Sequence, residues 1–455
     1  MKYDLIVIGA GAAGTEAAFT GAAHNLKTML VEPAFAGGTC LNVGCIPTKF
    51  LLGSTAVLTH FSTQKKFKAV QGDISVDFNA IQERKNRYIK GMRTGLEKRL
   101  TDAGITYVNG KAAFISGTAL HITQNDGEAF DAEFEKCIVA TGSTPASFPG
   151  IEPDGKNVLT STGLLNLTEA PESLLIIGGG VIGIELGEFY SRLGTKITVI
   201  EAMDRIVLSE DPEVSEAVHK QFTREGWNIH VNRRVKSVSS ENNEAVLVFE
   251  DGETLRGSKA LVAVGRRPGT QWLNIDKASL TTKRGGFIET GPTLLAAPNI
   301  YAVGDINGRV LLAHAAEHQA RYAARHAAGL ENNDYNDEAM PSCIYGHYEM
   351  MHVGPHAAAL AEEFKSAGKT VSVSRSQLIA NPIAQSYGVT QGFVKIVWVD
   401  NKVYSISAWG HGVSHLTGLA TAIVKAHWSE PEIIFAHPTL DESVKSALLA
   451  PKQII

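Results

Sequence analysis

A short apolar run at residues 3–8 leads straight into Gly9-Ala10-Gly11-Ala12-Ala13-Gly14 and then into a helical stretch at 15–23. Strand, glycine turn and helix in that order restrict this part of the chain to an α/β nucleotide fold. The first glycine permits the tight turn, the second lets the backbone approach a pyrophosphate, and the third lets helix and strand pack closely. The helix N-terminus supplies free N–H groups and the positive end of its dipole. The next apolar run, 28–31, ends in Glu32, 18 residues after Gly14 and suited to accept hydrogen bonds from ribose hydroxyls.

The arrangement recurs at a constant offset of 169 residues, with Gly178, Gly180, Gly183, Glu185 and Glu201 standing where Gly9, Gly11, Gly14, Glu16 and Glu32 stand in the first copy. One glycine pattern alone is weak, because it also describes a packing turn. Two copies, each with its strand, helix and terminal carboxylate, predict two dinucleotides. A carboxylate at Glu201 would repel a 2′-phosphate, which favours NAD over NADP. The 44 glycines among 455 residues exceed the roughly 32 of average usage by about a dozen. About that many fall in the predicted cofactor and redox turns.

Residues 80–103 place apolar side chains at helical spacing beneath a basic face and predict one long amphipathic helix. Apolar runs at 137–140 and 260–264 end in Thr141-Gly142-Ser143 and in Gly265-Arg266-Arg267-Pro268, and would close the two nucleotide folds. A third run, 300–303, ends in Gly304-Asp305, where a carboxylate meets a ligand at the carboxyl edge of a sheet. Beyond about residue 335 the pattern changes to alternating strands followed by helices, marking a separate terminal domain. The predicted segments are thus 1–145 and 265–335 for the first fold, 146–264 for the second, and 336–455 for the terminal domain.

A net charge of −5 argues against nucleic acid, which needs clustered Lys and Arg. The best membrane-span candidate, around 174–187, contains Glu185 and many glycines, so no membrane partner is expected. Asp4 interrupts the resemblance of the amino terminus to a signal peptide. Four cysteines are too few for a secreted disulfide scaffold, so a cytoplasmic protein is expected. Cys40 and Cys45 form the one close pair. In a straight helix their Cα atoms would stand roughly 8.7 Å apart, beyond the reach of a disulfide, so a bridge requires a distorted turn, which Gly44 permits. A strained, reducible bridge and two unlinked thiols both remain open, while a metal site lacks two further ligands nearby. Cys137 and Cys343, each isolated on an apolar segment, read as inert core thiols. His411 and His415 are spaced like ligands on a helix, but the surrounding glycines disfavour a helix there. Phe435-Ala436-His437-Pro438-Thr439-Leu440-Asp441-Glu442 offers an imidazole with a carboxylate five residues on, a base and its orienter for thiol chemistry.

Together with Gly37-Gly38-Thr39-Cys40-Leu41-Asn42-Val43-Gly44-Cys45-Ile46-Pro47-Thr48-Lys49, Val264-Gly265-Arg266-Arg267-Pro268 and Tyr301-Ala302-Val303-Gly304-Asp305, these motifs resemble the pyridine nucleotide-disulfide oxidoreductases over nearly the whole chain. The resemblance is greatest to the members that oxidise dihydrolipoamide. It implies two Rossmann-like FAD- and NAD-binding domains plus an α+β dimerisation domain. FAD would be held by Gly9, Gly11, Gly14, Glu32, Gly38, Thr39, Lys49, Ala112, Thr141, Gly142, Ser143, Asp305, Leu312, Ala313 and His314. NAD would be held by Gly178, Gly180, Val181, Ile182, Gly183, Glu185, Glu201 and Gly265, with Glu185 paired to Lys49.

The family reading also implies a homodimer in which His437 and Glu442 complete the partner's Cys40–Cys45 redox centre. The substrate would be dihydrolipoamide, free or on a lipoyl-bearing protein. In the implied reaction His437 deprotonates the dithiol, a thiolate attacks Cys40, and Cys45 leaves. Alternatives are an NAD(P)H-dependent reductase of another small disulfide and a non-catalytic nucleotide-binding dimer. The chain departs from the family pattern at 345–352 and 410–415, which puts the substrate in question.

Overall fold

The structure, a computed structural model, describes residues 1–429 and 433–455. It divides into two compact units, one of residues 1–48, 82–146 and 265–337, the other of 49–81, 147–264 and 338–455.

In the first unit the parallel strands run in the order Thr106–Ser116, Thr28–Glu32, Lys2–Ile8, Ala129–Val139 and Ile300–Ala302, with Leu295–Ala297 antiparallel at the edge. The far ends of Thr106–Ser116 and Ala129–Val139 are bridged by the antiparallel strand Ala119–Gln124. Ile300–Ala302 arrives from beyond the second glycine turn, so the first fold is resumed late in the chain. Strand Lys2–Ile8 is apolar on both faces because both are covered. Ile6 and Ile8 join Phe114 and Phe134 on one side, and Leu5 and Val7 meet Ala17, Ala18 and Tyr301 on the other. The second cover is helix Ala12–Ala23 against helix Ala313–Ala327, and buried alanines in both let them approach closely.

The second unit holds a parallel sheet in the order Asn228–His230, Lys196–Ile200, Ser173–Ile177, Lys259–Val262, Val158–Leu159. An antiparallel sheet of Val235–Glu241, Glu244–Phe249 and Thr254–Gly257 lies beside it. The terminal residues build a six-stranded antiparallel sheet, Pro341–Ile344, Glu349–Val353, Lys402–Gly410, Gly392–Val399, Val371–Gln377 and Gln453–Ile454.

Packing groups the predicted segments differently. Residues 49–81, expected with the first fold, fall in the second unit because Leu51, Leu52 and Phe78 pack into one apolar core with Phe189, Tyr190 and Trp409. The same core joins 147–264 to the terminal sheet through Ile344 and Met350, so these two predicted domains form one compact unit. Among the described residues the helical run that matches a membrane span by length and composition alone is Gly38–Lys66 rather than 174–187. It is broken at Gly44 and carries Lys49, whose ammonium is bound to Glu185. The long helix, Phe78–Asp102, lies where the periodicity predicts it.

Candidate active site

The two glycine turns are copies at the level of single atoms. Gly9 N–H donates to Val31 O and Gly178 N–H to Ile200 O, both at 2.8 Å. A Cβ on Gly9 would meet Ala140 O at 2.5 Å and one on Gly178 would meet Ala263 O at 2.4 Å. Gly14 and Gly183 are pressed in the same way onto the carbonyls of Gly9 and Gly178. Gly11 and Gly180, by contrast, have nothing within 4 Å of an added Cβ. They are the N-caps of the twelve-residue helices Ala12–Ala23 and Val181–Arg192, and neither has a side chain capping the first N–H groups. Packed outer glycines, an open middle one and orphan N–H donors are what a pyrophosphate requires, so both turns fit a dinucleotide. The carboxylates match as well. Glu32 accepts from Ala10 N–H (2.8 Å) and Ala34 N–H (2.9 Å), and Glu201 accepts from Gly179 N–H and Met203 N–H (both 2.8 Å). Burial lifts Glu32 above its ordinary value even though the two N–H groups oppose it. Glu16, one turn into the first helix, pairs with Arg321 at 2.8 Å.

The cysteine turn rests on the first glycine turn. Gly37 and Gly38 have positive φ, and a Cβ on Gly38 would stand 2.7 Å from Gly11 Cα. Cys40 and Thr39 lie in the short helix Gly38–Val43, Gly44 leaves helical geometry at φ −142 and ψ −111, and Cys45 opens the helix Cys45–Lys66. A side chain at Gly44 would press on Thr39 O at 2.9 Å, so the break needs glycine. The five-residue spacing is therefore not that of a straight helix, and both thiols are partly accessible. Cys45 stands at a helix start, where the dipole favours a thiolate.

Asp305, in the turn after strand Ile300–Ala302, accepts from the Ser143 hydroxyl, and Arg266 donates to Ser143 Oγ at 2.6 Å and to Ser143 O at 2.7 Å. Thr141 donates to Gly269 O at 2.9 Å. Gly142 and Gly265 both take positive φ, and Leu312 caps the helix that opens with Ala313 and His314. Arg266 was missed by the sequence reading, although it follows Gly265 directly. Its strand, Arg266–Pro268, pairs with Ser143–Pro145 and so delivers the guanidinium to Asp305. Ala112, on strand Thr106–Ser116, has its side chain 1 % exposed in the apolar core, so its backbone is what it can offer a ligand.

In the second unit Lys49 Nζ lies 2.7 and 2.8 Å from the two Glu185 oxygens and 4.7 Å from the centre of the Tyr345 ring. Val181 and Ile182 begin the helix that carries Glu185. Tyr345 N–H donates to Glu185 Oε1 at 3.0 Å, and His347 N–H donates to Glu188 Oε2 at 2.8 Å. Two carboxylates one turn apart thus grip the segment that departs from the family pattern. Glu188 is buried and pairs with Arg192 at 2.8 Å, and burial pushes its carboxyl up to about 7 in spite of that guanidinium. Burial, with Arg192 and His411 adding to it, pushes His347 down to about 3. The other departing segment packs here too, the His411 ring donating from Nδ1 to His347 O at 3.3 Å. Among the described residues no three His, Cys, Asp or Glu are arranged to hold a metal, and His415 is exposed.

Gly346 has no room for a side chain, since a Cβ would lie 1.6 Å from Glu188 Oε2. Gly346→Ala is expected to displace the buried carboxylate from its partners at a cost of about 3 kcal/mol, seen as an earlier urea midpoint. Gly53→Ala, exposed within a helix and with nothing within 4 Å, is the control and should hold or raise the midpoint.

His437 Nδ1 lies 3.1 and 3.3 Å from the two oxygens of Glu442, the first residue of helix Glu442–Leu449. The imidazole is 71 % exposed, which leaves Nε2 facing outward. Against a desolvation that raises it, the Thr439 N–H and the His437 ring hold Glu442 below its ordinary value. Cys137 is buried, and burial drives its thiol far up. Cys343 is half-buried, 3.0 Å from Thr417 Oγ1.

Residues 3–320 match the pyridine nucleotide-disulphide oxidoreductase family and 340–448 match its dimerisation domain. The chain is 37 % identical to a dihydrolipoyl dehydrogenase of Chlorobaculum tepidum, covering 98 % of this chain and 96 % of the relative. It is 35 % identical to a dihydrolipoyl dehydrogenase of Chlamydia pneumoniae, covering 99 % and 97 %. Its fold is similar to the crystal structure of LpdA from Mycobacterium tuberculosis, with a TM-score of 0.90, 25 % identity and 98 % of each chain covered. It is also similar to the Cu(II) complex of the HOCl-induced flavoprotein disulfide reductase RclA from Escherichia coli, with a TM-score of 0.86, 26 % identity and coverage of 98 % and 99 %.

Proposed function

Because the chain belongs to the pyridine nucleotide-disulphide oxidoreductases, flavin enzymes that use FAD and NAD(H), we propose that it oxidises dihydrolipoamide to lipoamide with NAD as the acceptor. The observation that carries the reading is the cysteine turn, two accessible thiols on either side of a glycine break, seated on the first nucleotide turn. Full-length relatives named dihydrolipoyl dehydrogenase support the choice of dithiol.

On this reading the first glycine turn, Glu32 and Asp305 hold FAD, and the second turn with Glu201 holds NAD. FAD, when bound, supplies the two-electron acceptor that returns the cysteine pair to its disulfide and passes hydride to NAD. His437, its Nδ1 fixed by Glu442, takes a thiol proton at Nε2. The resulting thiolate bonds to Cys40, the Cys40–Cys45 bond breaks, and Cys45 leaves as a thiolate at its helix start. The second substrate thiolate then displaces Cys40 and closes the substrate disulfide. In a homodimer, which the dimerisation domain supports, His437 serves the partner's cysteines. The substrate dithiol arrives free or on a lipoyl-bearing protein.

Anaerobic addition of dihydrolipoamide to the FAD-loaded protein is expected to reduce the flavin, and NAD to restore it. The kcat/KM for NAD should exceed that for NADP by about a hundredfold, because a 2′-phosphate would meet the Glu201 carboxylate. A flavin untouched by dihydrolipoamide but coupled to another small disulfide would replace this substrate with that one. Equal use of NADP would overturn the role given to Glu201. Reduction of such a disulfide is the second reading, favoured by the mutual packing of the departing segments at His347 and His411.

A further inference from the structure

The mechanism above leaves Tyr345 without a task, yet it touches the Lys49–Glu185 pair twice. Its N–H binds Glu185 Oε1, and its ring lies beneath the Lys49 ammonium. Lysine is a compact charge on four rotatable bonds, and a single carboxylate fixes its distance but not its direction. A ring face on the other side supplies that direction. Lys49 is 33 % exposed, so without the ring its ammonium has water to swing into.

The ring also carries no charge of its own. Burial, followed by the charges of Cys343, Glu349 and Glu185, pushes the phenol up to about 12, so it stays a donor.

We propose that Tyr345 is a positioning residue for the Lys49–Glu185 pair. The proposal rests on the functional reading in one respect, that Lys49 is among the residues that hold FAD, as the family resemblance implies. It requires nothing of the dithiol.

The test is a cycle of Tyr345→Phe and Tyr345→Met, each alone and with Lys49→Met, in the FAD-loaded dimer. The readouts are the flavin midpoint potential and the ring-current shift on the 13C-methyl signal of reductively methylated Lys49. A cation held near the flavin favours its reduced form. Tyr345→Met should therefore lower the potential by the equivalent of about fivefold in the reduction equilibrium and abolish the ring-current shift, whereas Tyr345→Phe should stay within about twofold. In the Lys49→Met background Tyr345→Met should add nothing. Tyr345→Leu, which also removes the ring face, should reproduce the change, which keeps the proposal testable if Tyr345→Met loses FAD. It is overturned if wild-type Lys49 shows no ring-current shift, or if Tyr345→Met changes the potential equally with and without Lys49. Loss of coupling in a protein that still turns over dihydrolipoamide sinks the positioning role alone. Full coupling in one that ignores dihydrolipoamide sinks the substrate assignment alone.

Discussion

Replacing either Cys40 or Cys45 with serine is expected to cut dihydrolipoamide-to-NAD turnover by at least about 10³-fold, because a hydroxyl neither exchanges with a disulfide nor leaves as a stable anion. No other thiol can deputise. Cys137 is sealed in the core with its pKa driven up, and Cys343 lies against Thr417 with its pKa raised by burial. The loss should be confined to the dithiol half of the reaction. Serine is nearly isosteric, and the turn is shaped by Gly37, Gly38 and Gly44 rather than by sulfur. Both variants should keep their flavin and still accept hydride from NADH in a stopped-flow trace. A serine variant retaining a tenth of wild-type turnover would exclude the cysteine pair from the reaction path.

His437→Gln should cost about 10³-fold at neutral pH, within the usual worth of a positioned base. Glu442→Gln keeps the hydrogen bond to Nδ1 but removes the charge, and should cost about tenfold. The pH profile separates these roles from general damage. Glu442 is held below its ordinary value, so it stays ionised from mildly acidic conditions upward and loses its grip only as the pH falls through that depressed range. In His437→Gln the dithiol must ionise unaided, so the rate should climb with pH towards the free-thiol range near about 8.5 without levelling at neutrality. Mixing Cys40→Ser with His437→Gln subunits adds a geometric check. If the histidine serves the partner's cysteines, each hybrid dimer keeps one intact site, and two inactive preparations give activity on exchange. Silence in verified hybrids would place the base within its own chain.

How much could be read beforehand divides along a physical line. The glycine turns, their strands and the carboxylates that end them are short-range features, with spacings set by backbone sterics, and they were readable without coordinates. The break at Gly44 was foreseeable for the same reason, since a straight helix cannot serve Cys40 and Cys45. The grip of Glu185 and Glu188 on 345–347 joins positions about 160 residues apart, and no periodicity announces such a meeting. Arg266 was overlooked because its value lies in the strand pairing that carries it to Asp305. Residues 49–81 follow Leu51 into another core, a choice made by packing rather than by order along the chain.

Two turns that agree in individual backbone hydrogen bonds are one socket built twice in the chain, and what sets the copies apart is what leads away from them. Glu16 and Glu185 are the same lead in the two copies, one connected to Arg321 and the other to Lys49. The two copies therefore part company not in their sockets but in the cation that each twin carboxylate holds.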